Sequence, residues 1–164
     1  MSPKEIMLRQ LKKESASTKH ILEKVPFDQP EWKPHDKSMT IQRLASHIAE
    51  IPLWMGRILN ADSLDMATTR FERFFAKDKD ELLQRHQQAT AEAIALLEKA
   101  TEEQLLQHWK MKLGDKVFYD QPRIDMITNF VLSHAIHHRG QLSVYLRLNN
   151  IPVPGMYGPS ADER

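Results

Sequence analysis

Cysteine is absent from the 164 residues. That excludes disulfides, thiolate metal ligands and a cysteine nucleophile together, so any bound metal must be held by nitrogen and oxygen. An excess of charge is also missing. Lys and Arg number 23 against 22 Asp and Glu, a formal net charge of +1. This balance offers no electrostatic basis for binding nucleic acid or an anionic membrane. No apolar run approaches the ~18 residues of a spanning helix. The segment from Met1 to Met7 carries Lys4 and Glu5 and no long apolar stretch, so no signal peptide is expected and the cytoplasm is the expected compartment. Repeats and low-complexity tracts are lacking too. Charged residues at 27% and hydrophobic residues at 41% are ordinary globular proportions. The length suits one domain over residues 1–164 with a core of its own.

Against these absences stand eight histidines, three of them within the five residues His134–His138. Apolar periodicity predicts four helices around them. The first runs from about Pro3 to Lys24, with Ile6, Leu8, Leu11, Ile21 and Leu22 on its apolar side, and stops before Pro26. A proline-broken loop, Asp28 to Ser38, follows. The second starts at Thr40 as N-cap and carries Ile41, Leu44, Ile48, Ile51, Met55 and Ile58, with a kink expected at Pro52. The third begins at Asp78, with Glu81 completing a capping box, and ends near Ala100. His108 to Tyr119 alternates on both sides of Gly114-Asp115, which predicts a β-hairpin lying on the helices. The fourth helix begins after Pro122 and ends at Asn149-Asn150, leaving a tail over residues 150–164. The expected class is all-α, a four-helix bundle with one short hairpin between the third and fourth helices.

His134 and His138 lie one turn apart on one face of the fourth helix, where two imidazoles can reach a single ion. They interrupt an inward stripe of Ile127, Val131, Gln141, Tyr145 and Leu148, which is costly unless the rings are satisfied. A third ligand must come from another helix, and His47, on the second helix's apolar face, is the best candidate. Three imidazoles leave a coordination position open for water or substrate. The competing explanation is a pair of partly exposed or hydrogen-bonded rings with His47 satisfied at the core edge, and spacing alone does not decide between them. His137 points roughly 100° away and is expected to be exposed or supporting. His20, His35, His86 and His108 read as surface or loop residues.

The run His134-Ala-Ile-His-His138-Arg-Gly-Gln141-Leu, then Tyr145-Leu-Arg147 and Pro154-Gly-Met-Tyr157-Gly-Pro159-Ser160-Ala-Asp162-Glu163, resembles the DinB family of metalloenzymes with its YfiT-like members. Upstream, Val25-Pro26, Trp32-Lys-Pro34-His35, Ser38 and Leu44-Ala-Ser-His47-Ile-Ala-Glu50 fit the same pattern. The resemblance covers nearly the whole chain. It implies an up-down-down-up four-helix bundle, a homodimer, and a divalent ion, nickel or zinc, on His47, His134 and His138. It also implies kinship with bacterial enzymes that transfer low-molecular-weight thiols such as bacillithiol or mycothiol to electrophiles, in stress or detoxification.

Two reactions suit such a site: thiol transfer to an electrophile, or hydrolysis. A non-catalytic metal-holding or ligand-sensing dimer is a further reading, and a bundle whose histidines bind nothing is the last. Ala135 stands where a zincin helix would carry glutamate, which argues against peptide hydrolysis of that kind. No general base is evident. Glu50 is a candidate to orient His47, and its plainer reading is a solvated helix face. Gln141 is a candidate for the pocket wall, as are Trp54 and Tyr145, though at helical spacing both aromatics read equally as core. Arg139 reads as an interhelix ion pair, or as an anchor for an acidic substrate group. Gly140 suggests close backbone packing, because glycine within a helix costs about 1 kcal/mol.

Overall fold

The computed structural model describes residues 1–163. The protein is mostly helical, with a small mixed sheet of three strands. Helix α1 spans Pro3–Leu22. Ser2 and Glu5 close its first turn as a reciprocal capping box, with Pro3 supplying a fixed φ at the start. Its buried stripe is Met7, Leu11, Glu14, Thr18, Ile21 and Leu22. Ile6, expected on that stripe, is 49% exposed, because the buried face is set by Met7 and Leu11 one residue further round.

Thr40 caps α2, Ile41–Glu50, through its hydroxyl and the Arg43 N–H at 3.2 Å. The kink expected at Pro52 is a break: a 3-10 turn over Ile51–Leu53 separates α2 from α3, Trp54–Leu59. A proline lacks the N–H that would continue the helical ladder. Helix α4, Lys79–Lys99, starts at Asp78, whose carboxylate accepts the Glu81 N–H at 2.8 Å. Glu81 reaches back one residue further than expected, to the Lys77 N–H at 2.6 Å. A one-turn helix α5, Glu102–Leu106, follows.

The expected hairpin is present as β2, His108–Leu113, and β3, Lys116–Pro122. Gly114 at the turn has φ +57°, a left-handed conformation that glycine adopts without cost. The structure adds a third strand, β1, Ser63–Asp65, parallel to β2. An all-α description is therefore corrected to mostly helical with a mixed sheet. Three residues are too few to show alternation in sequence, and β1 is held by pairing and by Asp65, which accepts the Ala67 and Gly114 N–H groups at 2.9 and 3.0 Å. Trp109 and Met111 face the core from β2, while β3 is exposed along nearly all its length.

Pro122 immediately precedes α6, Arg123–Ile127, without a capping bond, and the chain then runs through a π-helical stretch, Thr128–Ser133, into α7, His134–Leu148. Helices α1 and α2 each pack against both α4 and α7. One core lies around Leu11, Met55, Leu97, Trp109 and Met126, the other around Leu22, Leu44, Ile48, Leu82 and Leu146. The tail returns over the helices: Arg147 pairs with Asp162 at 2.8 Å, and a Cβ on Gly155 would sit 2.4 Å from the Gly158 carbonyl. No helix among the described residues is long and apolar enough to cross a membrane.

Candidate metal centre

Leu44 and Ile48 bury α2's inner face, and that packing carries His47 to the core's edge, half-buried. His134 opens α7 directly after the π-helical stretch, and His138 follows one turn later. The ring nitrogens converge. His134 Nε2 lies 3.2 Å from His47 Nε2 and 2.8 Å from His138 Nε2. One ligand nitrogen from each of the three rings falls within 4.8 Å of the others.

The donor set fits a divalent ion. Metal–imidazole bonds of ~2.0–2.1 Å at tetrahedral angles separate ligand nitrogens by about 3.3 Å. The His47–His134 pair stands at 3.2 Å, and the His134–His138 pair, at 2.8 Å, would open slightly around an ion. His138 Nδ1 donates to Gln141 Oε1 at 2.7 Å, which leaves its Nε2 as a lone pair aimed at His134. His134 cannot satisfy two neighbours with one proton. Its own Nδ1 is buried without a partner in hydrogen-bond geometry, although the Phe130 carbonyl nearby partly offsets the cost of charging the ring. An apolar setting that gathers three imidazoles and leaves their lone pairs facing one another is costly without a cation.

Electrostatics keep the rings neutral, as metal ligation requires. Burial pushes His47 down to about 3, assisted by His138, His134 and Arg43. Burial likewise lowers His134 to about 4, with His138 adding to it, and lowers His138 against the opposing Gln141 bond. The unfolded rings titrate near 6.5. Below that pH the unfolded chain binds protons that the folded rings refuse, so stability is full above about 6.5 and falls as pH drops towards 4. Thermal unfolding of metal-free protein should therefore show a falling midpoint from pH 7 to pH 5, with a shallower slope in His47→Gln. Equal slopes would mean that the cluster is not the proton-linked element.

A cavity of about 210 Å³ opens beside His47, lined among others by Glu50, Trp54, Arg57 and Phe71. The other sequence candidates divide. Gln141 touches the cluster, through His138. Trp54 walls the cavity, whereas Tyr145 is core, edge-on to Trp32 and donating to the Met39 carbonyl at 3.2 Å. Glu50 does not orient His47. It accepts from Arg85 at 2.9 Å, drawn there because α2 packs on α4. Arg139 is the structural pair, buried against Glu14 and Tyr157. Gly140 is exposed with nothing within 4 Å of a built Cβ, so close packing is not the reason for it. His137, His20, His35 and His108 are exposed, as expected. His86 is not: it continues the Leu82 and Ala89 stripe of α4 and donates from Nε2 to the Ser15 carbonyl at 3.1 Å. That four- and three-residue spacing was the signal for its burial. Arg43, Arg57, Phe71 and Arg73 on the cavity wall carried no comparable signal.

The DinB family's sequence profile matches residues 1–164. This chain belongs to the DinB family. The DinB fold is also found in solved relatives. A DinB-like protein from Bacillus cereus superposes with a TM-score of 0.68 at 19% identity, covering 92% of this chain and 95% of that one. The DinB-like protein YjoA of Bacillus subtilis gives 0.69 at 22% identity, covering 93% and 98%. At these identities the likeness concerns the fold. YrdA of Bacillus subtilis, an uncharacterized protein, is 47% identical over 34 residues, a local match that spans 21% of this chain and 20% of that protein's length.

Proposed function

We propose that this DinB protein holds a divalent ion, zinc or nickel, on His47, His134 and His138, and uses it to transfer a low-molecular-weight thiol to a small electrophile. The observation that carries this reading is the convergence of three imidazole nitrogens, one of them from a ring that lines a cavity, with no fourth His or carboxylate ligand grouped with them among the described residues. A three-histidine set with an open side suits catalysis more than a closed structural site.

When bound, the ion would lower the pKa of a thiol reaching it, so that thiolate, the reactive form, is available near neutral pH. The protein's own residues do the positioning. Gln141 fixes the His138 tautomer, and burial of all three rings keeps their lone pairs free of protons. Trp54 and Phe71 give the cavity an apolar wall on which the electrophile's carbon can rest. In the transfer the sulfur–carbon bond forms as the carbon–leaving-group bond breaks, and the thiol proton passes to solvent. No protein base is required, which agrees with the lack of a carboxylate in the cluster. The packing of α1 and α2 against α4 and α7 supports an up-down-down-up four-helix bundle as the scaffold, within one domain. Its pairing as a homodimer is carried by the family resemblance alone.

Metal-loaded protein assayed with a panel of thiols and an alkyl halide should form thioether only when both substrates are present. His134→Ala should lose roughly 100-fold or more in rate, in keeping with loss of a metal ligand or its support. Consumption of the halide, or of an ester substrate, without any thiol would replace transfer by hydrolysis.

A further inference from the structure

The cavity beside His47 has a charged wall that the metal reading leaves unused. Arg43, Arg57 and Arg73 line it together with Glu50 and Glu72. Three arginines against two glutamates leave one positive charge. Glu50 is already paired with Arg85, which stands outside the lining, and Arg43 donates to the Phe74 carbonyl at 3.3 Å while resting on the Phe75 ring. Arg57 is different. Its guanidinium packs against Trp54 and Phe71, 4.9 Å from each ring centroid, and makes no hydrogen bond among the described residues. Burial lowers its pKa from the ordinary value, with Glu50 opposing, yet a guanidinium stays protonated. A half-buried cation with five N–H donors and no acceptor is poised to take one.

We propose that Arg57 is the anchor for a carboxylate on the substrate, with the apolar part of that substrate lying on Trp54 and Phe71 and its reactive end towards His47. The fork of a guanidinium matches a planar carboxylate in two parallel bonds. With Glu50 taken by Arg85, the wall keeps an excess of positive charge, which suits an anion. The volume, about 210 Å³, is below the range of about 300–1,000 Å³ that takes drug-sized ligands, so the molecule is small. This deepens the transferase reading by giving its substrate a charge and a shape. It rests on that reading for the word substrate, whereas anion binding at Arg57 needs no ion.

The test is calorimetric titration of full-length protein, with and without added zinc, using phenylacetate, its neutral isostere phenylacetamide, and phenyl phosphate. Wild type should bind phenylacetate roughly ten-fold or more tightly than the amide, as expected for hydrogen bonds to a charged partner. Arg57→Gln should abolish that preference, and Arg57→Lys, which keeps the charge but not the fork, should retain only part of it. His134→Ala should keep it in full. A preference that survives in Arg57→Gln overturns the proposal. So does one lost in His134→Ala, which would put the carboxylate on the histidine centre. Tighter binding of phenyl phosphate, or no preference in wild type, overturns it as well. Protein that binds no zinc but shows the Arg57-dependent preference would defeat the metal reading and leave this one standing.

Discussion

Arg139→Ala is expected to lower the free energy of unfolding by about 3–5 kcal/mol, the cost of breaking a buried ion pair by removing one partner. Arg139 and Glu14 side chains are 2% and 3% exposed, and Nη2 meets the carboxylate at 2.5 Å. Around them both Arg139 Nη atoms and both Glu14 carboxylate oxygens are hydrogen-bonded. Arg139 also donates to the Glu14 carbonyl at 3.0 Å and Thr18 Oγ1 at 3.2 Å, and Gln10 donates to Glu14 at 2.8 Å. Tyr157, from the tail, donates to Glu14 at 2.8 Å and accepts from Arg139 at 2.6 Å. The cluster thus ties α1, α7 and the tail together. Alanine at 139 would strand the Glu14 carboxylate in the core. At roughly 2–4 °C per kcal/mol for a chain of this size, the midpoint should fall by roughly 6–20 °C. Urea unfolding measures it, and the Glu14→Leu, Arg139→Met double variant should recover most of the loss, because an apolar pair strands no charge. A single-variant loss below about 1 kcal/mol would show that the pair is not what joins these elements.

The second large effect concerns the ion. Wild-type protein should take up one divalent ion per chain, and His134→Ala should not. His134 is the informative position because its Nε2 stands within 3.2 Å of both partner nitrogens. Without it, His47 and His138 remain as two ligands on different helices, too few for the four-coordinate sites that imidazole usually builds. Stability should follow occupancy by mass action: an ion present at 100 times its dissociation constant adds about 2.7 kcal/mol to wild type. His134→Ala should show no such gain. Because Arg139 bonds to Glu14, Thr18 and Tyr157 and not to the histidine cluster, the two variants separate cleanly. Arg139→Ala should melt early yet still bind metal, whereas His134→Ala should fold and bind none.

How much of this could be seen in the chain alone depends on how local each signal is. Thr40 and Asp78 announced their helices because a capping side chain bonds within three residues. Gly114 marked its hairpin by the backbone it must adopt. His134 and His138 were legible as a pair, since one helical turn fixes their relation. His47 is 87 residues from His134: its apolar helix face made it the best candidate for a third ligand, and the resemblance to the DinB pattern joined it to the pair. The misses share that cause. Strand β1 exists through pairing with β2 across 47 residues, not through its own three. Glu50 was drawn to Arg85 by the packing of α2 on α4, a partner no spacing rule names. Arg57 and Phe71 meet because the chain beyond β1 turns back over α3. His86 is the exception: its place on the Leu82 and Ala89 stripe was visible, and burial there was overlooked because histidine is polar.

The most direct measurement is elemental analysis of untagged wild-type and His134→Ala protein, purified alike and dialysed against buffer containing zinc and nickel. A tag of added histidines would bind nickel by itself. The prediction is close to one zinc or nickel ion per wild-type chain and close to none per His134→Ala chain of unchanged helical content. Wild type without stoichiometric metal, or His134→Ala that keeps it, would contradict a centre built on His47, His134 and His138.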